Sequence, residues 1–205
     1  MAKSMIKRFD QLTQQELAEL RQKAVGKKIL IIVHPYLDDH NEELDEFLKG
    51  QRKNGFVTIL MDCEWNIKQI FKRNEKALSQ NYLVFAVHTR KNTDPTPSAG
   101  WQKIIKRLEL IGAKRILVGG MVFAEIKAEL LNRLVLRTKW IKDKSAKRGN
   151  SIDRAILRAM QLTGKEKSNF YGCAGVTTSK LLATGKFKVH TTNQFSKPSL
   201  KLMGK

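Results

Sequence analysis

Four short apolar runs constrain this chain more than any other feature: "KILIIVH" (28–34), "GFVTILM" (55–61), "YLVFAVH" (82–88) and "KRILVGG" (114–120). The first is apolar without interruption, the pattern of a strand covered on both faces. Segments of helical periodicity lie between the runs. "NEELDEFLKG" places Leu44, Phe47 and Leu48 inward and ends at Gly50, and "NIKQIFKRNEKAL" follows the second run. "AGWQKIIKRLELIG" sets Ile104, Ile105, Leu108 and Ile111 on one side. Strand and helix patterns alternating at this spacing predict βαβ units. The expected fold is α/β: a doubly wound, mostly parallel sheet of about five strands, flanked by helices in three layers, Rossmann-like.

The remaining segments set the domain organisation. In "LTQQELAELRQKAVG", Thr13 and Glu16 have capping-box spacing, Leu17, Leu20 and Ala24 form an apolar stripe, and Gly26 is a stop. Residues 1–26 are therefore expected as an N-terminal helix, 27–192 as a single α/β domain and 193–205 as a basic tail. The rhythm breaks after the fourth run, where 121–167 is expected to form a helical insertion. It comprises a long helix from Ala124 to about Lys144, the basic connection "KDKSAKRGN", and a second helix capped by Ser151. Ile152, Ala155, Ile156, Ala159 and Met160 form the buried stripe of that second helix. Beyond it, "SNFYGCAGVTTSKLLATGKFKVHTT" predicts a strand-to-helix turn at Gly172–Gly175, a helix from Val176 to Ala183 and a last strand in "FKVHTT".

At 205 residues, with 41% hydrophobic and 28% charged side chains, the composition is that of one globular domain. No apolar run approaches the roughly 18–20 residues that cross a bilayer. No secretory h-region is visible, and Cys63 and Cys173 are too few for a disulfide framework. A cytoplasmic protein without a membrane partner is the expectation. The charge is strongly lopsided, with 39 Lys and Arg against 19 Asp and Glu, a formal +20. Six acids (Asp38, Asp39, Glu42, Glu43, Asp45, Glu46) crowd into nine residues, whereas 133–167 holds eleven bases against three acids. Lys139, Lys142, Lys144, Lys147, Arg148, Arg154 and Arg158 are the candidate contacts to nucleic acid or another polyanion. Pairing of the acidic and basic segments between subunits would instead give an oligomer or larger assembly.

In an open parallel sheet, ligands bind beyond the carboxyl ends of the strands. His34, Asp62, Cys63, His88 and the pair Gly119-Gly120 fall at such ends, and His190 is expected to do the same. Histidine there supplies acid–base chemistry or ligand contact. No cofactor is implied; a divalent metal on His34, His88 and His190 is an alternative that rests on geometry alone. Cys173 is the candidate nucleophile. With a helix starting beside it, the positive helix end favours a thiolate and can hold an oxyanion, and Gly172 and Gly175 permit the sharp turn. The competing reading is that Cys173 is a small packed residue. The same glycines lack the spacing of a phosphate-binding loop.

Two stretches, "TPSAGWQKIIKRLELIGAKRILVGG" and "GCAGVTTSKLLATGKFKVHTT", resemble the isochorismatase-like cysteine hydrolases over about a third of the chain. The resemblance implies hydrolysis of small amides or vinyl ethers by a Cys-Asp-Lys triad, with Cys173 as nucleophile and Lys91 near the lysine. The family's aspartate ends strand one, where this sequence has "IIVHP", leaving Asp38 or Asp39 a few residues later. "ILIIVHPYLDDHNEELDEFL" is similar to the first unit of flavodoxin-like quinone reductases. The leading expectation is a small-molecule hydrolase, active or decayed, with His34 or His88 as acid–base group and Asp38 or Asp39 orienting it. The alternative is a basic nucleic-acid-binding or assembly protein.

Overall fold

The structure, a computed structural model, describes residues 6–23, 28–35, 46, 50, 55–73, 75, 78, 83–91, 94–120 and 172–191. The insertion 121–167, the tail 193–205, Asp38, Asp39 and all of "NEELDEFLKG" but Glu46 and Gly50 lie outside the described residues. The described residues form six strands: β1 (Lys28–Val33), β2 (Val57–Asp62), β3 (Val84–Lys91), β4 (Asp94–Pro97), β5 (Arg115–Gly120) and β6 (Lys188–Thr191). Their order is β4-β3-β2-β1-β5-β6, and every neighbouring pair is parallel except β3 with β4. The described helices are α1 (Gln14–Lys23), α2 (Glu64–Arg73), α3 (Trp101–Leu110) and α4 (Gly172–Leu182). The fold is α/β on a curled, mixed, mostly parallel sheet, and none of the described helices is long and apolar enough to cross a membrane.

The unbroken apolar character of β1 follows from its place in the middle of the sheet. Ile29, Ile31 and Val33 share a core with Leu17 and Leu20 of α1, Ile104 and Leu108 of α3, and Ala174 and Leu181 of α4. Leu30 and Ile32 point the other way, to Ile67, Ile70 and Phe71 of α2. Successive strand residues alternate faces, so a strand dry on both sides has no polar position to spare. Each such side chain contributes about 1.5–3 kcal/mol on burial. The α1 capping box forms as its spacing predicts. Thr13 Oγ1 accepts from the Glu16 N–H at 3.2 Å, and Glu16 Oε2 accepts from the Thr13 N–H at 2.8 Å. The Thr13 N–H, helped by Lys7, holds the Glu16 carboxyl down to about 2.

Two expectations need correction. The third strand does not stop with its apolar run at His88: β3 continues to Lys91, and Asp94–Pro97 returns antiparallel as β4, with Thr89 opposite Pro97 and Lys91 opposite Asp94. Proline lacks the ladder N–H and is tolerated at a sheet edge, which is where β4 lies. The helix after the insertion begins at Gly172, four residues earlier than expected, so Gly172–Gly175 form its first turn. The segment ahead of α1 also joins the sheet. The Ala86 N–H donates to Lys7 O at 2.9 Å, Arg8 bridges Ala86, and the Phe9 ring meets Phe85 edge-on at 6.0 Å.

Candidate active site

The register of β1 on β2 sets Val33 beside Met61, so His34 and Asp62 leave neighbouring strands at the same level. The His34 N–H donates to Met61 O at 2.7 Å. Its φ of 46° lies in the left-handed region, which histidine enters more readily than most side chains. The ring thereby reaches Asp62, with Nδ1 2.9 Å from Oδ1. That oxygen also accepts from the Cys63 N–H at 2.7 Å and from Asn66 Nδ2 at 3.0 Å. A carboxylate fixed by three donors can only accept, so Nδ1 carries a proton and Nε2 is the working nitrogen.

Both side chains are 3% exposed, and His34 Nε2 has no hydrogen-bond partner. Burial pushes the imidazole down, but Asp62 and then Cys173 outweigh it and raise the His34 pKa from 6.5 to about 9. Cys173 thus faces the ring from α4 and interacts with it. It sits, half-buried, in the first turn of a helix that packs over β1, β5 and β6. The backbone N–H groups of such a turn have no intrahelical acceptors and face outward as a positive pole. Neither cysteine is in a disulfide.

The other singled-out residues fall elsewhere. His88 stands directly opposite Asp62 in the sheet, but its charged neighbours are Arg8, Glu64, Asp10 and Lys68. Burial, then Arg8, pushes its pKa down. His190 is opposite Leu117, in the body of the sheet rather than level with His34, and is exposed. Lys91 closes β3 opposite Asp94. Gly120, at φ 101°, meets Val33 so closely that a Cβ there would lie 2.0 Å from the Val33 carbonyl oxygen. Its conformation serves backbone packing under His34. Gly119 adjoins Ile32 in the same ladder. The candidate phosphate-contacting residues 139–158 lie outside the described residues. Among the described residues no group of three or more His, Cys, Asp and Glu is placed to hold a metal ion.

The structure therefore brings together Cys173, His34 and Asp62. Asp62 was legible as a strand-end residue, but its partnership with His34 depends on β1 and β2 being neighbours, which periodicity does not reveal. Comparisons of the chain with protein-family models, curated proteins and solved structures find no match.

Proposed function

We propose that the protein is a small-molecule acyl hydrolase of the cysteine type, in which His34 is the acid–base group and Asp62 orients it. The observation that carries this reading is the buried His34–Asp62 pair with Cys173 acting on the same imidazole from α4. It satisfies the geometric logic of nucleophile, base and orienting carboxylate. With the shared proton held on His34 Nε2, as its raised pKa favours, the Cys173 sulfur attacks the acyl carbon and the carbonyl pair moves to oxygen. The first-turn N–H groups of α4 stabilise that oxyanion. Collapse expels an amine or alcohol, which takes the proton from His34. Water, deprotonated by His34, then cleaves the thioester and returns the proton to Cys173. The likeness to isochorismatase-like hydrolases agrees with Cys173 as nucleophile, with a His-Asp pair in place of that family's Asp-Lys. The doubly wound, Rossmann-like description belongs with this reading.

The test is alkylation and acylation. Iodoacetamide should modify Cys173 at least tenfold faster than Cys63. p-Nitrophenyl acetate should release a burst of nitrophenolate with acetyl found on Cys173, abolished in Cys173→Ser. Equal, slow labelling of both thiols would overturn the reading.

A second reading, contact with a polyanion, is favoured by one separate observation. Lys28, Arg115 and Lys188 stand in register across three adjacent strands, the latter two exposed. Like charges placed opposite one another weaken strand pairing, and a phosphate chain would relieve them. Binding of a generic RNA should then fall steeply with salt and drop severalfold in Arg115→Glu/Lys188→Glu. No binding at low salt would exclude it.

A further inference from the structure

α1 and α2 begin with the same backbone bond and then differ. The Leu17 N–H donates to Thr13 O at 3.0 Å, and the Ile67 N–H donates to Cys63 O at 3.1 Å. Thr13 and Cys63 therefore hold the same place, and so do Glu16 and Asn66, three residues further on. In α1 the later side chain turns back as an acceptor, with Glu16 Oε2 taking the Thr13 N–H. In α2 the roles are reversed. The Cys63 N–H donates to Asp62 Oδ1 at 2.7 Å, and Asn66 turns back as a donor, its Nδ2 3.0 Å from the same oxygen. The His34 ring reaches that oxygen from beyond β1, with Nδ1 at 2.9 Å. The start of α2 thus gives up the reciprocal cap that α1 forms and gathers two donors on the one oxygen that holds the imidazole. Asparagine is a poor residue inside a helix because its amide competes for nearby hydrogen bonds; here that competition is aimed at Asp62.

We propose that Asn66 is a positioning residue of this site: its amide, together with the Cys63 N–H, clamps Asp62 in the rotamer that meets His34 Nδ1. It acts on the imidazole only through Asp62. Its use in acyl transfer rests on the hydrolase reading; the clamp itself rests on the three contacts at Asp62 Oδ1. Asp62 is 2% exposed and Asn66 is half-buried. The line of interactions Cys173, His34, Asp62, Asn66 therefore runs from α4, past the ends of β1 and β2, to the first turn of α2. A carboxylate held by two fixed donors is no longer free to turn, so its bond to the imidazole keeps one geometry. A site stays in its working arrangement when a further layer of hydrogen bonds locks the rotamers of its members.

The test removes the donor in two ways in the full chain. Asn66→Ala suits the helix, and Asn66→Leu fills the space so that water cannot stand in for the amide. The His34 ring signal, assigned with His34→Gln, is followed by NMR through a pH titration. The titratable groups facing that ring are Asp62 from β2 and Cys173 from α4. In both variants the His34 midpoint should fall from about 9 toward the ordinary histidine value, since a carboxylate free to turn favours the imidazolium less. Iodoacetamide labelling of Cys173 at neutral pH should slow about three- to tenfold, the weight of one hydrogen bond, as the thiolate loses its imidazolium partner. In the Asp62→Asn background the same substitutions should add no further slowing. A His34 midpoint that stays or rises in Asn66→Leu, or a full additional slowing beside Asp62→Asn, overturns the role. Labelling of Cys173 no faster than that of Cys63 in the natural chain overturns the hydrolase reading instead, and the His34 midpoint still decides the clamp.

Discussion

The cap of α1 and the buried interior use the same kinds of side chain to opposite effect. At the cap, Thr13 and Glu16 each satisfy the other's backbone N–H in the open, where water would have served nearly as well. In the interior, a threonine hydroxyl, an indole N–H and an imidazole nitrogen are buried and left unsatisfied. An unpaired buried polar atom costs about 1–3 kcal/mol. One region spends polar groups on stability; the other leaves them unspent.

The largest expected effect comes from the backbone beneath the rim. Gly120→Ala drives a Cβ into the Val33 carbonyl at a positive φ and should cost on the order of 3–5 kcal/mol in urea unfolding. A near-neutral result would mean that the ends of β1 and β5 can part, and with them the support of His34.

Next is the pH dependence. The folded-state pKa of His34 is raised from 6.5 to about 9, so the folded state holds a proton that the unfolded chain releases sooner. Its contribution is present in full below about 6.5 and falls as pH rises toward about 9. Thermal melts should show this decline, and Asp62→Asn should flatten it. His88, pushed down, acts in the opposite sense and costs stability only as pH falls below the ordinary histidine range.

Asp62→Asn should also slow alkylation of Cys173 about tenfold or more at neutral pH, since an amide can select the wrong imidazole tautomer. An unchanged rate would remove Asp62 from the site.

The smallest pair is the sharpest on the comparison. Thr13→Ala should destabilise by about 1 kcal/mol. Thr177→Val, nearly the same shape without the unpaired hydroxyl, should be neutral or stabilise by up to about 1 kcal/mol. Equal losses at both positions would show that the Thr177 hydroxyl holds the fold as the Thr13 hydroxyl does.

Local signals were legible wherever one residue's neighbours in sequence are also its neighbours in space. The cap at Thr13 and Glu16, the doubly buried β1 and the inward face of α3 through Ile104 and Leu108 are of this kind. β4 was hidden because Pro95 and Pro97 argue against a strand until its edge position is known. The His34–Asp62 pair was hidden for a related reason: 28 residues separate the two in sequence, and strand order alone makes them adjacent. Trp101 and Thr177 gave no signal at all, since an apolar helix face looks the same whether or not its polar atoms find partners. The expectations for the basic insertion and for Asp38 and Asp39 lie outside the described residues.

The seam between Lys7, Arg8 and Ala86 has a practical consequence. A chain trimmed past Phe9 would bare the Ala86 amide and leave a hole where the aromatic ring had filled the interior. Such a naked margin recruits strands from other molecules. The opening residues thus act as a selvedge, keeping the woven edge from unravelling into aggregates, and shortened versions should be judged first by whether they stay monodisperse.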